Sequence, residues 1–432
     1  MTRLKLALLV ATCLASQAGF ALPIRYTAQM HVERNDNLLL QETDPVQATV
    51  LRPSLDFEAD HRSSALDLAI AGRFHYYDYN TQVVDNAFEG LLDARANWHV
   101  IPERLTLTAE DSLSMLPVDS LAADVPGNRQ RVNILSVGPT LHFRPGARAT
   151  GQLEARHVII DAEQNEAFNS SRNDLRFRLN AELTPTDTVG ANLQQQSVKF
   201  DAEGTLGDYS RSDMFVRWHH RAARFDFTAD AGVTWLDYRG EEENRRNPLF
   251  RLQSTWNPTP DHRLALRWSR EYSDIAAWSL AGLDGQIRPG EGMSLDLVVA
   301  NASPFVVRQF DLEYGFRRAR WEFLFAPYVN KLRYVEGTEF NRDGRGYAAD
   351  LNFRLRDTLT AGIHGSWDSN EYVATQRNIN VRRYGVYAEQ QLSRHWHLRL
   401  EANRYTRSEN LFNERQRQNT IAISIAYTNF QD

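Results

Sequence analysis

Alternation with a period of two runs through almost the whole chain. In the stretch from Asp174 to Leu183, Leu175, Phe177, Leu179, Ala181 and Leu183 share one phase, and Arg176, Arg178, Asn180 and Glu182 share the other. A strand sends successive side chains to opposite faces, whereas leucines at every second position would be scattered around a helix. The same grammar recurs at Leu66, Leu68 and Ile70 against Asp67, Ala69 and Ala71, and at Leu398 and Leu400 against His397, Arg399 and Glu401. Counting such segments predicts about 18 to 20 strands, with an even number expected because both ends of a bacterial barrel return to the same side.

Connections between the segments come in two kinds. Short ones, such as Ile101-Pro-Glu-Arg104, Thr184-Pro-Thr-Asp187, Asn257-Pro-Thr-Pro-Asp261 and Ser393-Arg-His395, carry residues that fix a turn or cannot continue a ladder. Longer polar stretches lie between them: Leu116 to Arg131, Asp201 to Arg211, Gly240 to Asn247 and Ser273 to Pro304. Short turns alternating with long loops is the asymmetry of outer-membrane barrels, with the short turns periplasmic. The expected fold is therefore all-β: a transmembrane, antiparallel, up-and-down outer-membrane β-barrel.

The amino-terminal residues fit that destination. Arg3 and Lys5 precede the apolar run Leu6 to Leu14, and small residues lead to Gly19-Phe20-Ala21. This reads as a secretory signal peptide over 1–21, cleaved after Ala21 with Ala18 as the competing site, followed by one barrel over 22–432. The sole cysteine, Cys13, falls inside the leader. Thr12 before it is a poor fit to lipidation, so disulfides and cysteine chemistry are excluded from the mature chain. No later run of apolar residues is long enough for an α-helical span. Losing Arg3 and Lys5 lowers the formal charge of −6 by two, to −8, which offers nothing to nucleic acid. The expected location is the outer membrane of a Gram-negative cell.

Aromatic residues sit near many predicted strand ends, at Trp98, Trp256, Trp396, Tyr76, Tyr79, Tyr238, Tyr272 and Tyr372. Amphipathic rings favour the headgroup layer, so these are expected to form a girdle. The last strand places Ile421, Ile423, Ile425 and Tyr427 on one face and ends near Phe430. It resembles the signal read by the barrel-assembly machinery, except that Phe430 is out of phase and is followed by Gln431-Asp432.

If the leucine phase faces lipid, the other phase lines the lumen. Arg95, Arg156, Arg176, Arg178, Glu182, Arg217, Asp226, Asp230, Arg267, Asp311, Glu313, Arg399 and Glu401 all fall on it. Interleaved guanidinium and carboxylate groups can hydrogen-bond sugar hydroxyls along a hydrated passage. They can equally pair across neighbouring strands and fill the interior. Enzymatic readings find no support: His99, His219 and His364 share the lumen phase but stand in no nucleophile–base motif, and His219 and His220 point to opposite faces. No catalytic, cofactor or metal residue is assigned. Asn35-Asp36-Asn37 and Glu241-Glu-Glu243 read as solvated acidic loops rather than calcium sites.

Three features extend the picture: Glu33-Arg-Asn-Asp-Asn37 closing the first strand, Leu51-Arg-Pro-Ser-Leu-Asp-Phe57 in the second, and Tyr76-Tyr-Asp-Tyr79 ending the third. With the repeated proline-containing turns, they resemble outer-membrane barrels encoded with exopolysaccharide and PEP-CTERM loci. The resemblance implies a part in secreting a polysaccharide, with a periplasmic polysaccharide-export protein as partner. The residues alone also leave open a general or small-solute porin and a structural or adhesive surface barrel.

Overall fold

The computed structural model describes residues 23–118, 123, 125–164, 168–201, 208–238, 245–274, 303–410 and 415–430. The leader predicted over 1–21 lies outside them.

Among the described residues, twenty strands alternate up and down. The first five are β1 (Ile24–Asn35), β2 (Ala48–Arg62), β3 (Leu66–Tyr79), β4 (Ala87–Ile101) and β5 (Leu105–Pro117). Next come β6 (Arg129–Gly146), β7 (Ala149–Ala162), β8 (Ser170–Glu182), β9 (Asp187–Phe200) and β10 (Tyr209–Arg221). They are followed by β11 (Phe225–Tyr238), β12 (Arg245–Thr259), β13 (His262–Ser273), β14 (Phe305–Arg318) and β15 (Trp321–Tyr334). The circuit ends with β16 (Arg342–Arg356), β17 (Leu359–Tyr372), β18 (Arg377–Gln391), β19 (Trp396–Glu409) and β20 (Arg415–Thr428). Each strand pairs antiparallel with its sequence neighbours, and β1 pairs with β20, so the sheet closes on itself and leaves no edge. Closure is what the bilayer demands of a spanning sheet, since an unpaired edge has no water to bond there.

The seam between β1 and β20 is clamped at both ends. At the long-loop end, the backbone and side-chain amides of Asn419 donate to the two carboxylate oxygens of Asp36, each at 2.6 Å. Asn37 Nδ2 donates to the carbonyl of Arg417 at 2.8 Å, and Gln418 Nε2 donates to the carbonyl of Asn37 at 2.9 Å. At the other end, Asn429 accepts from the Tyr26 amide at 2.7 Å and donates to the Ile24 carbonyl at 2.8 Å. This corrects the reading of Asn35-Asp36-Asn37 as a solvated loop. Asn35 and Asn37 are buried, and the three residues staple the first strand to the last.

A closed sheet has one outer and one inner face, and the exposed large apolar residues identify the outer one. Leu175, Leu193, Met214, Val216, Phe310, Val329, Ile363, Leu400, Ile421 and Ile423 are all exposed and share one phase on their respective strands. Such a surface needs hydrocarbon, which an outward band about 25 Å tall supplies. Trp98, Trp218, Trp256, Trp321 and Trp396 flank this band close to the short turns, exposed as a girdle requires. Tyr76 is exposed as expected, but Tyr79 and Tyr238 are buried on the inward phase, which Tyr372 shares, and Tyr272 is buried although it shares the phase of the exposed Trp268. Position near a strand end fixes height; only phase decides the face. Two strands also begin inside stretches that the sequence marks as polar connections, at Tyr209 and Arg245. Beyond the lipid band both faces are polar, so the ladder continues after the alternating pattern has stopped.

Candidate functional site: the lumen

The inward phase changes character along the barrel. Through the middle it is charged and largely self-paired. Arg217 on β10 donates from Nε and Nη2 to the two oxygens of Asp230 on β11, at 2.7 and 2.8 Å. Arg251 on β12 reaches both Asp230 at 3.4 Å and Glu271 on β13 at 2.6 Å, and the Arg217 and Arg251 guanidinium groups both cover the Phe215 ring. Around the wall, Glu154 on β7 is met by Arg176 on β8 at 3.1 Å and by Arg156 at 3.9 Å, while Arg156 also donates to Thr140 Oγ1 at 2.9 Å. Arg95 meets Glu110 at 2.7 Å, and Arg263 meets Glu313 at 2.8 Å. Arg399 lies over the Tyr387 ring at 3.9 Å and pairs with Glu401 and Glu389 at 3.0 and 3.4 Å. Asp226 takes His219 at 3.3 Å and Arg221 at 2.9 Å, and Asp311 accepts from Gln309. Each such cross-strand pair contributes roughly 0.2 to 1 kcal/mol.

All thirteen residues assigned to the lumen from the sequence lie on the inward phase, but they do not form one site. Nine are engaged in ion pairs spread around the wall. Among the described residues no ion pair closes on Arg178, Arg267 or Glu182, although Arg267 stands in register with Asp311.

At the long-loop end the same phase turns apolar. Leu116 on β5, Val132 and Ile134 on β6, Val158, Ile160 and Ala162 on β7, and Phe168 form one buried cluster with Phe305 and Val307 on β14 and Leu332 and Tyr334 on β15. In a ring of twenty strands, β6 and β15 stand on nearly opposite sides. Opposite walls therefore touch, and Phe305 and Leu332 are wholly buried between them. A second cluster joins Val198, Tyr209, Leu236, Tyr238 and Tyr272 to Val335, again bringing β9–β13 against the end of β15. Burying a large apolar side chain contributes about 1.5 to 3 kcal/mol, so parting these walls into water is costly.

Polar ties cross the lumen at the same level. Asp274, just beyond β13, accepts from Arg172 Nη1 on β8 at 2.7 Å and from the Tyr209 hydroxyl on β10 at 2.9 Å. Arg211 on β10 donates to the Tyr272 carbonyl on β13 at 2.9 Å. Residues 275–302, most of the long connection from Ser273 to Pro304, lie outside the described residues; their roots, Asp274, Ser303 and Pro304, are buried. At the short-turn end the lumen holds a cavity of about 600 Å³, bordered by Thr27, Gln29, Glu389, His397, Arg399 and Ser424 among others. The barrel is thus a polar vestibule toward the periplasm, with an apolar contact between its walls near the outer rim.

Charged alternation does not mark the apolar part of this arrangement. The signal that marks it is a run apolar in both phases, as in Val158-Ile-Ile160 and Ile134-Leu135: lipid lies outside and no water inside.

No family model matches this sequence, and no curated protein does either. Among solved structures it is similar to the FrpB iron transporter from Neisseria meningitidis, with 8% identity and a TM-score of 0.45 over 94% of this chain and 81% of that one. It is also similar to the outer membrane protein opdK from Pseudomonas aeruginosa, with 11% identity and a TM-score of 0.38 over 94% and 97% of the two chains. The siderophore receptor PirA from Acinetobacter baumannii gives 10% identity and a TM-score of 0.46 over 95% and 81%. At identities this low and TM-scores below 0.5, nothing about cargo passes from them to this chain. The closed, antiparallel, twenty-stranded wall with its apolar exterior makes the protein an outer-membrane β-barrel on its own evidence.

Proposed function

We propose that this barrel is a gated transport channel of the outer membrane, that its cargo is an exported polysaccharide, and that a periplasmic polysaccharide-export protein opens it. One observation carries the reading: opposite walls meet in an apolar cluster above a charged vestibule. A general porin has a standing aqueous passage, whereas this lumen needs energy to part Phe305, Val307 and Leu332 from Val132, Ile134 and Ile160. Docking of a partner at the short-turn rim, where the vestibule opens, is the source of that energy. The self-paired charges below the contact suit a neutral, polyhydroxylated chain, since guanidinium and carboxylate groups offer donors and acceptors without a net field.

A small-solute channel is the second reading, favoured by Arg178 and Arg267, whose charges are not answered by an ion pair among the described residues and would attract an anion. Deleting the gene separates the two. Loss of cell-surface polysaccharide with unchanged uptake of small solutes supports export; retained polysaccharide with reduced solute uptake replaces it with the porin. In planar bilayers the purified protein alone should conduct little, while Phe305→Ser/Leu332→Ser, which wets the contact, should raise its conductance.

A further inference from the structure

We propose that one half of the barrel's outer surface docks phosphate-bearing lipid headgroups of the leaflet on the long-loop side. On the outward phase, cations follow the exposed apolar residues toward the long loops. On β14 the exposed Phe310 is followed by Arg308, on β15 Val329 by Lys331, on β16 Tyr347 by Arg345, and on β18 Tyr384 by Arg382. On β20 and β1, Arg417 and Arg34 come two positions further out, beyond Ile421 and Met30. All six cations are exposed. The corresponding step is uncharged on β8, β9 and β10, with Asn173, Gln195 and Ser212 beyond Leu175, Leu193 and Met214, and nearer the long loops the other strands carry exposed outward cations at Arg131 on β6, which pairs with Glu163, Lys199 on β9 and Arg246 on β12. The cationic belt is therefore densest on β14–β20 and β1, where it sits at the end of the apolar band.

Local pairing accounts for little of it. Arg308 stands in direct register with Arg270 on β13 and with Lys331 on β15, so three cations follow one another across neighbouring strands. Like charges directly opposite are destabilising, and an anion bridging them reverses the sign. Asp343 on β16 answers Lys331 and Arg333, at 3.3 and 2.5 Å, and Arg345 lies over the Trp367 ring at 5.8 Å. Among the described residues no ion pair reaches Arg308, Arg345, Arg382 or Arg417. Arginine forks at a membrane surface match phosphate oxygens two at a time, and the apolar residues immediately below accept the acyl chains of the same molecule. Charge and apolar surface together specify a phosphorylated lipid rather than a free anion.

The test uses the full-length protein in detergent, native mass spectrometry, and a diphosphorylated glycolipid (lipid A), its dephosphorylated form and inorganic phosphate as probes. The diphosphorylated lipid should stay bound through detergent exchange and resist excess inorganic phosphate; the dephosphorylated form should wash off. Arg308→Gln/Lys331→Gln/Arg345→Gln should weaken retention roughly a hundredfold, as three cations near a charged surface imply. Asn173→Ala/Gln195→Ala on the opposite half should leave retention unchanged. If the triple variant loses the heat-modifiable mobility of a folded barrel, Arg382→Gln/Arg417→Gln asks the same question. Equal retention by a folded variant, equal retention of the dephosphorylated lipid, or displacement by inorganic phosphate would each overturn the proposal.

Discussion

The two ends of this lumen are built from the same strands in the same phase, yet they obey different rules. Toward the short turns the inward side chains are Glu389, His397, Arg399 and Ser424 around open space. Toward the long loops they are Ile134, Ile160, Phe305 and Leu332, packed against one another. Polar residues can line water without touching; apolar residues in the same position must find partners, and the partners available are on the opposite wall. The difference shows that, among the described residues, the strands themselves bring opposite walls of the lumen into contact. That contact follows from which residues occupy the inward phase at one level of the wall.

The sharpest way to break this contrast is to strand a charge at the closed end. Arg172 and Asp274 are almost completely buried, with side-chain exposures of 5% and 1%. Asp274→Ala leaves the guanidinium without its carboxylate, and we expect a loss of about 3 to 5 kcal/mol, read from denaturant unfolding in detergent. Arg172→Met/Asp274→Leu, which removes both charges, should restore most of it. Equal loss from the single and double variants would show that the pair does not hold this end together. A smaller effect is expected from Leu332→Ala, which opens a cavity between the walls and should cost about 2 to 5 kcal/mol. Conductance should rise in the same variant, whereas Gln29→Ala at the open end should change neither.

Much of this was legible in the sequence. Alternation and turn chemistry predicted the all-β barrel, its antiparallel order and a strand number whose upper value is the observed one. The leucine–arginine alternation in β8 separates a phase of Leu175 and Leu179, with Leu175 exposed, from a phase of Arg176 and Arg178. Long-range contact was not legible. Nothing local tells Ile134 that Leu332 lies across from it, and a tyrosine near a strand end looks the same whether it faces lipid, as Tyr76 does, or the interior, as Tyr238 does. Similarly, Asn-Asp-Asn reads as a polar loop until β20 arrives beside it, because its partner Asn419 is 383 residues away.

The wall of β8 tests how distinct the lumen and lipid phases are. Leu179 belongs to the lipid phase, so Leu179→Arg should cost about 2 to 4 kcal/mol, since an arginine there must leave water. Arg178 is one residue away and has no ion pair among the described residues. Arg178→Leu should therefore leave assembly nearly intact, judged by heat-modifiable gel mobility, while changing ion selectivity once the closed end is opened by Leu332→Ala. Greater damage from Arg178→Leu than from Leu179→Arg would reverse the assignment of faces.

The smallest effect concerns the short-turn rim, where order comes from hydrogen bonding rather than burial. Asp187 accepts from Thr184 Oγ1 at 2.7 Å, Thr186 Oγ1 at 2.8 Å, His220 Nδ1 at 2.9 Å and Trp218 Nε1 at 3.1 Å. The Thr184 hydroxyl first, then His220, Thr186 and Trp218, hold its carboxyl well below the usual carboxylate range. A carboxylate favoured in this way stabilises the folded barrel at every pH above its unfolded value of about 3.9, and that contribution fades as pH falls toward the folded value. Asp187→Asn keeps the side chain's size and one acceptor but removes the charge. The difference in unfolding midpoint between the two proteins should therefore stay constant from neutral pH down to about 4.5 and shrink below it. Trp218 should report the same event, because its indole is tied to Asp187 and its ring packs edge-on against Phe227 at the lipid boundary. A gap that instead persists unchanged well below about pH 4 would show that the charge of Asp187 is not what these donors stabilise.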